Sequence, residues 1–430
     1  MRRSIFLRRS ISFLSTFLFL SGLFVAQNAA AQAGSKACID CHSKTSPGIV
    51  HDWRLSKHSK NGVACPTCHG SLHKTAADYA KAKIPTPETC AACHPKQFDQ
   101  FKSGKHALAW VAMKAMPTIH WQPMAMIEGM KGCGGCHQIG LKSKQDIMEI
   151  KKTQPGFGIT SCDVCHTRHL FSVKEARSPQ ACRTCHTGFD HPQWEMYEGS
   201  KHGVRYALKR EGILPRDAAA PTCQECHMAN GNHEVRTAWG FLGLRLPPPG
   251  DKQWAADQVT ILKGLGVLDP QGKPTALLAA VKAADLVRLT APSWQHERDR
   301  MLTVCTRCHS LAYAKSQLAL GDKIIKDSDH LMAEAIRTVA ALYKDGVLKK
   351  PSYYPYAYPD LLTFHNAPTP IEQKLFVMFS EHRMRTFQGA FHANPDYAFW
   401  YGWSAMATDL TDIKSMAAQL RRQKASAGGI

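Results

Sequence analysis

Cys38-Ile39-Asp40-Cys41-His42 is the stretch on which the reading of this chain turns. Two cysteines three residues apart, followed directly by histidine, form the attachment signature of c-type haem. The cysteines meet the two vinyl edges of one porphyrin as thioethers, and the histidine then lies under the iron. The motif recurs at Cys65/Cys68/His69, Cys90/Cys93/His94, Cys133/Cys136/His137 and Cys162/Cys165/His166. Three more copies stand at Cys182/Cys185/His186, Cys223/Cys226/His227 and Cys305/Cys308/His309. Eight motifs use all 16 cysteines, so a disulfide framework and a set of zinc sites are both set aside. The expected cofactors are eight covalently attached haems c.

Thioether attachment takes place outside the cytoplasm, and the N-terminus agrees with export. Residues 1–33 read as a signal peptide: Arg2, Arg3, Arg8 and Arg9 form a basic start, Ile11 to Val25 is apolar, and Ala31-Gln32-Ala33 precedes the expected cleavage point. The apolar run is too short for a comfortable transmembrane helix. A periplasmic or other extracytoplasmic location follows. The net charge of +20 would invite a nucleic-acid reading, but losing the four leader arginines leaves +16. Eight haems bring two propionates each, an equal and opposite charge, so the lysines and arginines serve as internal counter-charge. With 397 residues left after the expected leader 1–33 (430 minus 33), shared among eight haems at roughly 50 each, the porphyrins rather than a large aliphatic core are expected to fill much of the interior.

Fourteen histidines lie outside the motifs. An electron-transfer haem has a strong sixth ligand, whereas an open sixth position is where substrate chemistry happens. Eight outside ligands make a wire; seven leave one catalytic iron. Ser56-Lys57-His58, Gly104-Lys105-His106 and Ser200-Lys201-His202 look like one repeated device, each 12 to 16 residues after a motif histidine. The spacing suits a ligand reaching a neighbouring haem. Met113, Met116, Met124 and Met126 read as gap-fillers beside porphyrins rather than axial ligands.

Two longer stretches carry a resemblance. Asp190-His191-Pro192-Gln193-Trp194-Glu195, Gly199-Ser200-Lys201-His202-Gly203, Cys223-Gln224-Glu225-Cys226-His227-Met228 and Gly231-Asn232-His233 form an ordered series. It resembles the catalytic half of pentahaem cytochrome c nitrite reductases, and Phe391-His392-Ala393-Asn394-Pro395 is similar to their C-terminal ligand segment. With three further motifs upstream, the chain resembles the octahaem hydroxylamine oxidoreductase family. That resemblance implies a catalytic haem on Cys133, Cys136 and His137, open on its far side, with Asp190 and His191 above it. It implies His233, His120, His392 and His202 as outside ligands of the last four haems, leaving His58, His73 and His106 for the first three. Oxidative members carry a tyrosine from a neighbouring subunit bonded to the catalytic porphyrin. The corresponding stretch here is Arg385-Thr386-Phe387-Gln388-Gly389, without a phenol, while Tyr397 and Tyr401 stand a few residues further on as the remaining candidates. The resemblance also implies a trimer, formed by one chain or with a related one.

The expected fold is mainly α, with little strand, a haem-filled core and a C-terminal helical bundle. Residues 34–125 hold three haems, 126–310 a five-haem catalytic region, and 311–430 a helical oligomerisation region. Apolar periodicity predicts helices over Leu318–Tyr343, Ile371–Phe387 and Met406–Gln423, with Pro351–Pro359 as a loop. The leading functional reading is reduction of nitrite or a similar small nitrogen oxide, fed by a cytochrome or quinol-linked donor. Oxidation of hydroxylamine or hydrazine is the alternative enzyme. A non-catalytic electron conduit is the third reading, with His169 or His296 as the eighth ligand.

Overall fold

The computed structural model describes residues 31–114, 132–153, 161–240, 242–245, 250–283, 290–363 and 367–427. All but the last three residues of the expected signal peptide lie outside them, as does His120. The fold is mostly helical; the described residues hold no strand, only a bridge between Leu268 and Pro274. None of the described helices is long and apolar enough to cross a membrane.

The chain forms two compact units, each assembled from two segments: residues 1–98 with 144–177, and 99–143 with 178–430. The first carries the motifs beginning at Cys38, Cys65, Cys90 and Cys162; the second carries those at Cys133, Cys182, Cys223 and Cys305. Consecutive blocks are expected from the sequence, whereas here the chain crosses between units and returns. Motif cysteines meet within each unit: Cys90 lies beside Cys162 in the first, and Cys136 beside Cys185 and Cys182 beside Cys223 in the second.

In the first unit the helices are short, because motifs, prolines and glycines interrupt them. Pro47–Leu55 opens with proline at its first turn, where the missing N–H costs nothing. Its apolar face is confined to Val50 and Trp53, packed with Ala31 and Ile39. Four residues cannot make a large core.

The second unit contains a conventional core. The 34-residue helix Leu311–Lys344 buries Ile325, Met332, Ile336, Val339 and Leu342 along one stripe. Against it pack Lys252–Gly264, Pro370–Val377 and Ala405–Ala427, which contribute Ile261, Leu375 and Ile413 among others. Helix Pro370–Val377 passes through a π-turn, Met378–Arg383, into Met384–Phe391. The π-turn faces a fully buried Arg383 toward the long helix. Its guanidinium donates to Asp329 Oδ1 at 2.7 and 2.9 Å and to the Leu242 carbonyl at 2.7 Å. Asp329 Oδ2 accepts from Trp254 Nε1 and Gln258 Nε2. A buried ion pair is tolerable only when its remaining donors and acceptors are satisfied in this way.

Candidate haem ligands and active site

Each motif is helical or turn-forming: Cys38–His42 lies within a helix over 31–45, Cys305 ends the helix Ala291–Cys305, and the others form short turns. The histidine backbone N–H donates to the carbonyl of the first cysteine at 2.9–3.0 Å in the motifs ending at His94, His137, His166, His186 and His309. Positions i, i+3 and i+4 then share one face, which presents both thiols and the imidazole to one flat group.

The repeated Ser-Lys-His device is a helix start. Ser56 and Ser200 adopt extended backbone, with φ/ψ of −67°/156° and −80°/163°. Each hydroxyl donates to the carbonyl three residues earlier, Trp53 or Tyr197, and accepts the N–H three residues later, Ser59 or Gly203. The histidine therefore always stands at the second helical position. Gly104 opens His106's turn with the same backbone (−92°/170°), but no hydroxyl is present. A Cβ there would come within 2.8 Å of Val235 N, and Lys105 N–H donates to the Val235 carbonyl at 2.8 Å.

Six motif histidines face a second imidazole. Within the first unit the pairs and their ring-centre separations are His42–His73 (6.1 Å), His69–His169 (6.0 Å) and His94–His58 (6.2 Å). Within the second they are His186–His106 (6.1 Å), His227–His392 (6.3 Å) and His309–His202 (6.1 Å). Two imidazoles bound at about 2 Å to one iron, with ring centres about 1 Å beyond the nitrogens, are separated by roughly 6 Å. The donor pairs fit a haem iron between them. Nδ1 is anchored in several of the rings: His69 to the Lys83 carbonyl, His392 to Gln388's, His186 to the Gln193 amide oxygen, His73 to Asp78. This leaves Nε2 for the metal. Burial pushes His106, His169 and His227 down to about 4 and His186 to about 3, which holds these imidazoles neutral, the form a metal accepts.

His137 is different. Its Nδ1–H donates to the Ala109 carbonyl at 2.6 Å, yet among the described residues no imidazole faces it at that separation. The charged groups acting on it are Asp190 and His191, whose Oδ2 and Nδ1 lie 2.9 Å apart; both also act on Cys136 of the same motif. Burial pushes the Asp190 carboxyl up, but the hydrogen bond and charge of His191 outweigh it and leave it below the usual carboxylate range. His191 also lies 6.3 Å from His186 in ring centres, a consequence of their closeness along the chain.

The family model for multihaem CxxCH cytochromes, described as carrying the motif seven times, matches residues 60–242 and 280–352, more than half of the chain. The chain belongs to this multihaem cytochrome family. Its haems are therefore covalently attached c-type haems, and the resemblance to hydroxylamine oxidoreductase-like members holds. A probable nitrite reductase–hydroxylamine oxidoreductase fusion protein of Kuenenia stuttgartiensis is 27% identical over 482 aligned residues, covering 90% of this chain and 52% of that protein. The cytochrome thus spans about half the length of that relative. Among solved structures, a reducing hydroxylamine oxidoreductase-like complex of the same organism superposes with a TM-score of 0.67 at 25% identity, over 93% of this chain and 87% of that one. A hypothetical multihaem protein superposes with a TM-score of 0.65 at 19% identity, over 92% and 96%, a likeness of fold.

Two features of the cytochrome's haem-binding residues differ from the sequence reading. His106, expected among the first three haems, faces His186; its partner there was expected to be His120, which lies outside the described residues. His169, held in reserve as an eighth ligand, instead faces His69. It has no helix-start device to mark it, and its partner is 100 residues away. Among the sixteen motif cysteines, Cys41, Cys93, Cys136 and Cys308 are exposed and the other twelve, Cys165 among them, are half-buried.

His233 stands in a turn with Nδ1–H donating to the Gly231 carbonyl at 2.9 Å, and its backbone N–H donates to Gln100. Gln193 and Gln388 escaped sequence reasoning, because no motif marks them. Gln193 binds His186 Nδ1 and donates to Gln388 Oε1 at 2.7 Å, while the Gln388 carbonyl holds His392. Phe387 is a core residue, packed with Trp239, Ile325 and Met384 and lying under the Arg383 guanidinium at 5.6 Å. His330 and His382 pair with Asp257 and Asp409, as structural groups would.

Proposed function

We propose that this cytochrome is an extracytoplasmic octahaem reductase of small nitrogen oxides, nitrite foremost, acting at the haem carried by Cys133, Cys136 and His137. The observation that carries the reading is His137, a motif histidine whose described surroundings hold an Asp190–His191 pair where six other motif histidines meet an imidazole. When bound, that haem supplies electrons and an open coordination position. His137 would present Nε2 to the haem iron, since its Nδ1–H is fixed on the Ala109 carbonyl. Asp190 accepts from His191 Nδ1–H, which fixes the tautomer and turns Nε2 outward. His191 can then pass protons at Nε2 to substrate oxygens as N–O bonds break. The six motif histidines that face a second imidazole would hold haems able to pass electrons on from a cytochrome or quinol-linked donor.

The absence of a phenol at Phe387, together with its burial in the core, supports reduction over oxidation. The names of the two Kuenenia proteins agree with a site of this class, and the two-chain neighbour supports assembly with a second, related chain. The test is turnover of the purified protein with nitrite and a reduced dye, against hydroxylamine and an oxidised dye, with mass measurement of the Cys133–His137 haem peptide. Faster nitrite turnover and no tyrosine adduct are expected. Faster hydroxylamine oxidation with an adduct would reverse the direction of the reaction.

A further inference from the structure

Among the Nδ1 acceptors seen on the paired histidines and on His137, one is a carboxylate. His73 Nδ1–H donates to Asp78 Oδ1 at 3.0 Å, while His69, His137, His186 and His392 donate to neutral carbonyl or amide oxygens. The same Asp78 oxygen accepts the Lys74 and Thr75 N–H groups at 3.0 and 2.8 Å, so the turn before Ala76–Lys81 holds it in place. Three N–H donors on one carboxylate oxygen favour its charged form. Lys81 Nζ is 3.9 Å from the other oxygen, and its exposure screens it from offsetting that charge.

We propose that Asp78 is a positioning residue that fixes His73 opposite His42 and, through its negative charge, lowers the reduction potential of the haem carried by Cys38 and Cys41. This rests on the reading of His42 and His73 as one haem's axial pair. An anion beyond Nδ1 makes the imidazole a stronger donor and favours ferric over ferrous iron. A haem depressed in this way is the low-potential member of the first unit's set, where strongly reducing electrons enter.

The experiment is a spectroelectrochemical titration of the haem-loaded protein and of Asp78→Asn. Asparagine keeps the accepting oxygen that the turn needs and removes the charge. The expected result is that one haem becomes easier to reduce by about tenfold in its equilibrium (~59 mV for a one-electron couple). The other couples stay in place, and the low-spin spectrum is retained. Asp78→Glu, which keeps the charge, falls nearer the wild type than D78N. No shifted couple, or a common drift of all couples, overturns the inference. A His73→Ala variant that gains no high-spin haem would instead overturn the axial pairing beneath it.

Discussion

His191 carries the proton chemistry of the proposed reaction, and Asp190 acts through it. A His191→Ala variant should lose about 10²–10⁴-fold in nitrite turnover, the range a positioned acid–base group contributes. Its haem content should not change, because the thioethers do not depend on His191. Asp190→Asn should lose less, since asparagine can still accept from Nδ1. Turnover of His191→Ala at the wild-type rate would remove His191 from the mechanism. His169 makes an independent prediction at the same scale: His169→Ala should open one further iron and add one high-spin haem to the ferric spectrum. The attachment residues were legible in the sequence because each motif is a five-residue unit whose geometry is local. His58 and His202 were legible because a serine helix start marks them. His169 had no local mark, and only the fold brings it to His69.

The helices of the C-terminal bundle were legible from apolar periodicity, and Leu311–Lys344 extends the expected Leu318–Tyr343 by about two turns at its start. Ser310 explains the extension: its hydroxyl accepts the Tyr313 N–H and starts the helix before the apolar stripe begins. The π-turn at Met378–Arg383 was not legible, since it depends on Asp329, 54 residues earlier in the chain. Replacing Arg383 with Met should cost about 3–5 kcal/mol of stability, because Asp329 would be left buried and uncompensated. Denaturant unfolding of the haem-loaded protein, followed by far-ultraviolet circular dichroism, measures it. A loss under about 1 kcal/mol would mean that the bundle does not depend on the pair. Ser200→Ala should cost about 1 kcal/mol and loosen His202, seen as a weaker low-spin signal rather than as unfolding.

At the scale of the whole molecule, the eight motifs are divided four and four between two units that the chain enters twice. The order of motifs in sequence is therefore not their order in space: Cys90 meets Cys162, and Cys136 meets Cys185, each skipping an intervening motif. No local pattern encodes that crossing, so consecutive blocks read from the sequence could not show it. Intact mass of the purified protein should exceed its polypeptide by eight haems, and a lower number would break the correspondence of one haem to each motif. The decisive quantity is the number of irons with a free face. Electron paramagnetic resonance of the ferric protein, with spin quantitation and nitrite or cyanide added, measures it directly. Seven low-spin haems and one that changes on ligand addition are expected; eight low-spin haems that ignore both ligands would contradict a catalytic iron in this protein.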